Sequence, residues 1–152
     1  METEMYSIPT PANGRSPILP EAQAAQAVQT ALSNGTAPFG LPAAIMRKHG
    51  TMTMFFYTPE IEDHQPVHEQ DEVYVVVRGQ GHFVIGDHKN LLHRFPFKSG
   101  DAIFVPAGAI HRFEEFSTDF ATWVVMFGPE GGEAQKDSMA AFEQQVDAPE
   151  ER

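Results

Sequence analysis

Between Ala43 and Phe127 the chain is interrupted every few residues by a turn signal, and this punctuation restricts its fold more than any other feature. Strand-like runs occupy Ala43 to Lys48, Thr51 to Thr58, Val73 to Val77, His82 to Ile85, Ala102 to Val105, His111 to Phe113 and Phe120 to Phe127. Between them fall His49-Gly50, Thr58-Pro59, Gly79-Gln80-Gly81, Gly86-Asp87, Lys98-Ser99-Gly100-Asp101 and Gly128-Pro129. Short runs of this kind, with no helical stretch among them, build an antiparallel sandwich or barrel. The glycines at 79, 81, 100 and 108 are expected at turns that need a positive φ.

The flanks read differently. Pro9, Pro11, Pro17, Pro20 and the Asn13-Gly14 pair make residues 1–20 an extended arm. Glu21 to Leu32 reads as a short helix with Ala24, Ala27, Val28, Ala31 and Leu32 on one face, closed by Asn34-Gly35. That face is mostly alanine, so the helix either lies over its own barrel or is exchanged with a second subunit. Glu133 to Val146 reads as a polar C-terminal helix docked through Met139, Phe142 and Val146, with a frayed tail behind it. The expected division is therefore arm and helix over 1–42, barrel over 43–129, and C-terminal helix and tail over 130–152.

A length of 152 residues, 41% hydrophobic, supports one core and no second domain. No apolar run approaches the roughly 18 residues of a membrane span, and the opening Met1-Glu2-Thr3-Glu4 lacks the basic start of a secretory signal, so a cytoplasmic protein is expected. A formal charge of −11 repels phosphate backbones and anionic lipid, which argues against nucleic-acid and membrane partners. Without cysteine, any metal must be held by imidazole, carboxylate or carbonyl groups.

The stretch Asp63 to Gly79 changes midway from a run of histidine and carboxylate to an apolar β-branched run. His68 and Glu72 are ligand types that bind Zn, Fe, Mn or Ni. His111 follows a second strand-like run and the Pro106-Ala107-Gly108 turn, so a sheet joining the two mouths would bring three ligands together. Alternation predicts that an inward Glu72 takes Tyr74 and Val76 with it, leaving Val73, Val75 and Val77 outside, and that Phe113 follows His111 inward. Tyr74 and His82 are the candidates for moving a proton in such a pocket. His49, His88 and His93 are expected at the surface.

Gly100, Pro106, Gly108 and His111 meet every spacing of the second cupin motif, with Glu115 where asparagine is usual, and His68, Glu72 and Gly79 meet the latter half of the first. Over Ala43 to Phe127 the chain thus resembles the cupin superfamily. The resemblance implies an all-β fold, a single jelly-roll β-barrel. The family's first histidine would fall at Pro66, which cannot bind a metal through its side chain. Either His64 or Gln65 replaces it, or His68, Glu72 and His111 suffice; the second reading is preferred because Pro66 pins the backbone between His64 and His68.

By analogy with the family, the chain is expected to hold a divalent metal, Fe(II) first and Zn, Mn or Ni as alternatives. A small-molecule substrate and a homodimer are expected with it. A two-histidine, one-carboxylate face is associated with non-haem iron and oxygen chemistry, which points to a dioxygenase. The alternatives are a Lewis-acid isomerase or lyase using Tyr74 or His82 as base, and a non-catalytic barrel that binds a small molecule.

Overall fold

The computed structural model describes residues 16–134. The expected C-terminal helix and most of the N-terminal arm lie outside the described residues. The first element is α1 (Glu21–Asn34), and β1 (Ala43–His49), β2 (Met52–Tyr57), β3 (Asp71–Arg78) and β4 (Gln80–Gly86) follow it. The chain continues through β5 (Leu92–Lys98), β6 (Ala102–Val105), β7 (Ile110–Glu114) and β8 (Ala121–Phe127). The strands form two antiparallel sheets, one ordered β1-β2-β8-β3-β6 and the other β5-β4-β7, packed as a cupin-type jelly roll.

Alternation decides what each sheet buries. On β3, Glu72, Tyr74 and Val76 are buried and Val75 is exposed, as a period of two requires. On β7, His111 and Phe113 are buried together. The inward residues of the two sheets meet in one core, where Tyr57, Tyr74, Val76, Val105 and Val124 face Phe83, Phe97 and Phe113. Its centre is a cluster of rings: Phe113 lies 4.9 Å from Tyr74, 5.0 Å from Phe83, 5.2 Å from Phe97 and 4.7 Å from Phe120, centroid to centroid. Tilted and edge-on contacts of this kind add to the burial of the rings themselves.

A second, smaller core lies outside the barrel. Ala24 and Val28 of α1 pack on Ala44, Phe56 and Ala121, so the helix covers the sheet of its own chain. Alanine on that face lets the helix approach closely, while Leu32, expected to bury with it, is 40% exposed at the end of the stripe. Gly35 ends α1 in the left-handed conformation, φ 74°, and returns its N–H to the Ala31 carbonyl.

The strand Leu92–Lys98 is absent from the sequence reading because Pro96 interrupts its pattern. Proline removes a ladder donor and is tolerated on an edge, and β5 is the edge strand of its sheet. Gly79, Gly100 and Gly108 do have positive φ. Gly81 does not, and its reason is space: a Cβ there would lie 2.8 Å from the Phe116 Cα. Among the described residues no helix is long and apolar enough to cross a membrane.

Candidate metal centre

Glu72 and His111 are each the second residue of a strand, so both side chains project inward at the same end of the barrel. His68 comes from the loop before β3. That loop is tied to the turn feeding β7 by a backbone bond in which Gly108 N–H donates to the His68 carbonyl at 2.8 Å. Asp71 strengthens the tie. One of its carboxylate oxygens accepts the Ala107 N–H at 3.0 Å, and the other accepts the Glu133 N–H at 2.8 Å. Loops distant in the sequence are thereby held in one place.

The ligand-type atoms of His68, Glu72 and His111 lie within 4.8 Å of one another. His68 Nε2 is 2.5 Å from Glu72 Oε2, and His111 Nε2 is 3.2 Å from the same oxygen. Each imidazole is oriented by its other nitrogen. His68 Nδ1 donates to the Gln70 carbonyl at 2.8 Å and His111 Nδ1 to the Ala109 carbonyl at 2.9 Å. With one proton on Nδ1, a neutral imidazole has only a lone pair at Nε2, so each contact with the Glu72 carboxylate needs a second proton or a cation between the two atoms.

Three electron-pair donors facing one another need a positive centre between them. Burial pulls the His68 pKa down, but the hydrogen bond and charge of Glu72 outweigh it and hold the imidazole above its ordinary value. For Glu72, burial pushes upward, and the His111 and His68 imidazoles hold the carboxyl below its usual range. A proton can serve one such contact. His111 Nε2, fully enclosed, still has no hydrogen-bond partner among the described residues. Such an orphaned nitrogen beside a buried carboxylate is what a ligand set for a divalent cation presents, and the residues therefore fit one.

His68 and Glu72 also line a cavity of about 290 Å³. Its walls are chiefly apolar, with Leu41, Phe55, Val124 and Met126 among them, and its remaining polar side chains are Tyr57 and Gln65.

Residues 51–133, more than half of the chain, match the ARD/ARD' family. All three clustered residues fall inside the match. The chain belongs to the ARD/ARD' family. A Leishmania infantum protein named acireductone dioxygenase is 38% identical over 87 residues, covering 49% of this chain and 25% of that protein. An uncharacterized Streptomyces coelicolor protein, SCO3923, is 38% identical over 68 residues, covering 45% of this chain and 60% of that one. This chain thus spans less than two thirds of the length of either relative. A solved cupin 2 conserved barrel domain protein from Salinispora arenicola shares 16% identity with a TM-score of 0.45, covering 70% of this chain and 85% of that one.

The ARD/ARD' barrel gathers three of the sequence-derived metal candidates and leaves out the fourth. His64 projects to the surface, where its Nε2 pairs with Glu62 at 3.0 Å. Asp63 and Gln65 on either side of it are half-buried, while His64 is exposed. For His82 the sequence alone leaves the face open, because Gly81 beside it carries no side chain. Phe83 and Ile85 face the core with Phe113 and His111, which they oppose in register, so His82, opposite Glu114, stands on the other face of β4. Its nearest carboxylate is Glu115, at 3.8 Å.

Tyr74 is where it was expected, fully buried beside the site, but its chemistry differs. Burial, together with the charges of Glu72 and Asp63, pushes the phenol well above the tyrosine range. It stays protonated and donates to Gln65 Oε1 at 2.6 Å.

Asp63 escaped the sequence reading. One of its oxygens accepts the Tyr57 hydroxyl at 2.6 Å, and the other accepts Gln65 Nε2 and the Phe113 N–H, each at 2.8 Å. The inward alternation of Asp63 and Gln65 was the signal available.

Proposed function

We propose that the chain is a metal-dependent dioxygenase for a small organic substrate, with Fe(II) held by His68, Glu72 and His111. The observation that carries this reading is the convergence of two imidazole nitrogens on a buried carboxylate, with His68 and Glu72 of that cluster lining an apolar cavity. Relatives named acireductone dioxygenase support oxygen chemistry on an enediol-type substrate. When bound, the metal would supply a redox-active Lewis acid for the oxygen chemistry, held by His68, Glu72 and His111. The protein does the rest. The Gln70 and Ala109 carbonyls fix both imidazoles, Glu72 contributes the negative charge, and the apolar walls exclude water from the reacting groups.

The Lewis-acid isomerase alternative needs a base, and the residues offered for it are a buried phenol that stays protonated and an outward imidazole. Oxygen uptake separates the readings. Iron-loaded protein is expected to consume dioxygen when an enediol is added, and metal-free protein is not. Turnover of enediols by the iron-loaded form without oxygen uptake overturns the proposal.

We also propose that the chain forms a homodimer. Val75 is 42% and Phe104 58% exposed on the outer side of β3 and β6, beyond the part of the sheet that α1 covers. Sedimentation equilibrium is expected to show a dimer that Phe104→Glu converts to monomer. A monomeric parent protein at micromolar concentration contradicts it.

A further inference from the structure

The carbonyls that orient the two imidazoles are held by different means. Ala109, which serves His111, closes a tight turn: its N–H donates to the Pro106 carbonyl at 3.2 Å, with Gly108 between them at φ 80°. A local turn therefore fixes that acceptor. Gln70, which serves His68, has none. Among the described residues no backbone hydrogen bond joins one member of 67–70 to another, and Gln70 is only half-buried.

Its side chain supplies the missing restraint. Gln70 Nε2 donates to the Gly128 carbonyl at 2.8 Å and to the Thr51 carbonyl at 3.0 Å, which uses both amide protons. The reverse orientation would set an amide oxygen against two carbonyls, so the partners dictate which end is which. Thr51 lies in the turn between β1 and β2, and Gly128 follows β8. These two are themselves joined, the Gly128 N–H donating to Thr51 Oγ1 at 3.0 Å. The amide of Gln70 thus ties the entry of β3 to a knot made by two other ends of the barrel. Neighbouring ties grip other groups: Gly108 and Gly131 donate to the carbonyls of His68 and Glu69, and Asp71 is held through its own carboxylate.

We infer that the side chain of Gln70 is a positioning group for the metal centre, acting on His68 and not on His111. By anchoring its own peptide, it keeps in place the carbonyl that takes the His68 Nδ1 proton, and so keeps Nε2 directed at Glu72. This inference rests on the proposed ligand set, because the aim of the ring matters to a metal only if His68 is a ligand. It also defines what the position accepts. A side chain with no proton to give leaves the Thr51 and Gly128 carbonyls without this partner and the Gln70 peptide free to turn.

Cobalt(II) is the probe. The Nδ1 proton of an imidazole bound to it through Nε2 appears far outside the ordinary proton NMR range, and only while a hydrogen bond keeps that proton from exchanging with water. The Co(II)-loaded parent protein is expected to show two such signals, one for each histidine. Gln70→Met keeps the length of the side chain and removes its donors. It is expected to bind Co(II) about tenfold more weakly and to lose one signal while the other persists. Gln70→Lys restores a donor, and is expected to recover both signals and an affinity within about threefold of the parent's. If Gln70→Met fails to fold, Gln70→Asn takes its place. Its amide is one methylene too short to reach both carbonyls, and a smaller loss in the same direction is expected.

Unchanged Co(II) affinity with both signals intact in Gln70→Met, or in Gln70→Asn where it stands in, overturns the inference. Loss of both signals together also overturns it, by showing a general loosening of the site. A Gln70→Lys protein that behaves as Gln70→Met does overturns it as well, since the donors would then not be the reason. A parent protein that retains no Co(II), or that shows no shifted imidazole protons, defeats the ligand set beneath the inference and is recognised before any variant is made.

Discussion

His111→Ala is expected to leave the purified protein unable to keep its metal through dialysis. The loss should exceed about 100-fold in affinity, because changing a residue that merely orients a ligand already costs about 10- to 100-fold. Two donors would remain, His68 and Glu72, with a void where a fully enclosed imidazole had been. His64→Ala is the control. Its side chain sits at the surface beside Glu62, so metal content should match that of the parent. Metal analysis of the three proteins after identical dialysis decides the matter. Equal losses from His111→Ala and His64→Ala would mean that the ligand set has been misassigned.

Phe113→Ala is expected to take away much of the stability of the barrel. Phe113 is 2% exposed and touches rings on both sheets, from Tyr74 to Phe120, so its removal opens a cavity that neither sheet can close alone. Phe→Ala changes in such positions cost about 3–5 kcal/mol, against about 5–15 kcal/mol for the whole of a typical domain. Urea unfolding should show a lower midpoint with an unchanged slope. A loss below about 1 kcal/mol would show that the rings do not bear on one another as described.

What could be read from the sequence follows from where periodicity survives. Glu72, Tyr74 and Val76 lie on a regular strand, and a period of two is enough to put them on one face. The same logic placed Phe113 with His111. β5 was invisible because Pro96 breaks the pattern, and only the sheet order shows that a proline is harmless there. His82 stayed ambiguous because its neighbour Gly81 carries no side chain to mark a face, and register with β7 settles it.

The polar network around Gln65 was hidden for another reason. Asp63 joins Tyr57, Gln65 and the Phe113 amide across as many as 50 residues of chain, and no local pattern encodes such distances. Leu41 lies just before β1 and reaches the cavity beside Ala43, the first residue of that strand. The convergence of His68, Glu72 and His111 was legible in their spacing. The lone pairs were not, since they depend on which carbonyl each Nδ1 finds.

Two imidazoles and one carboxylate from this chain are expected to hold one divalent ion. X-ray absorption at the iron edge of the Fe(II)-loaded protein counts the imidazoles directly through their outer-shell scattering. The account predicts two, falling to one in His68→Ala for whatever iron remains. Three imidazoles in the parent protein, or none, would contradict it.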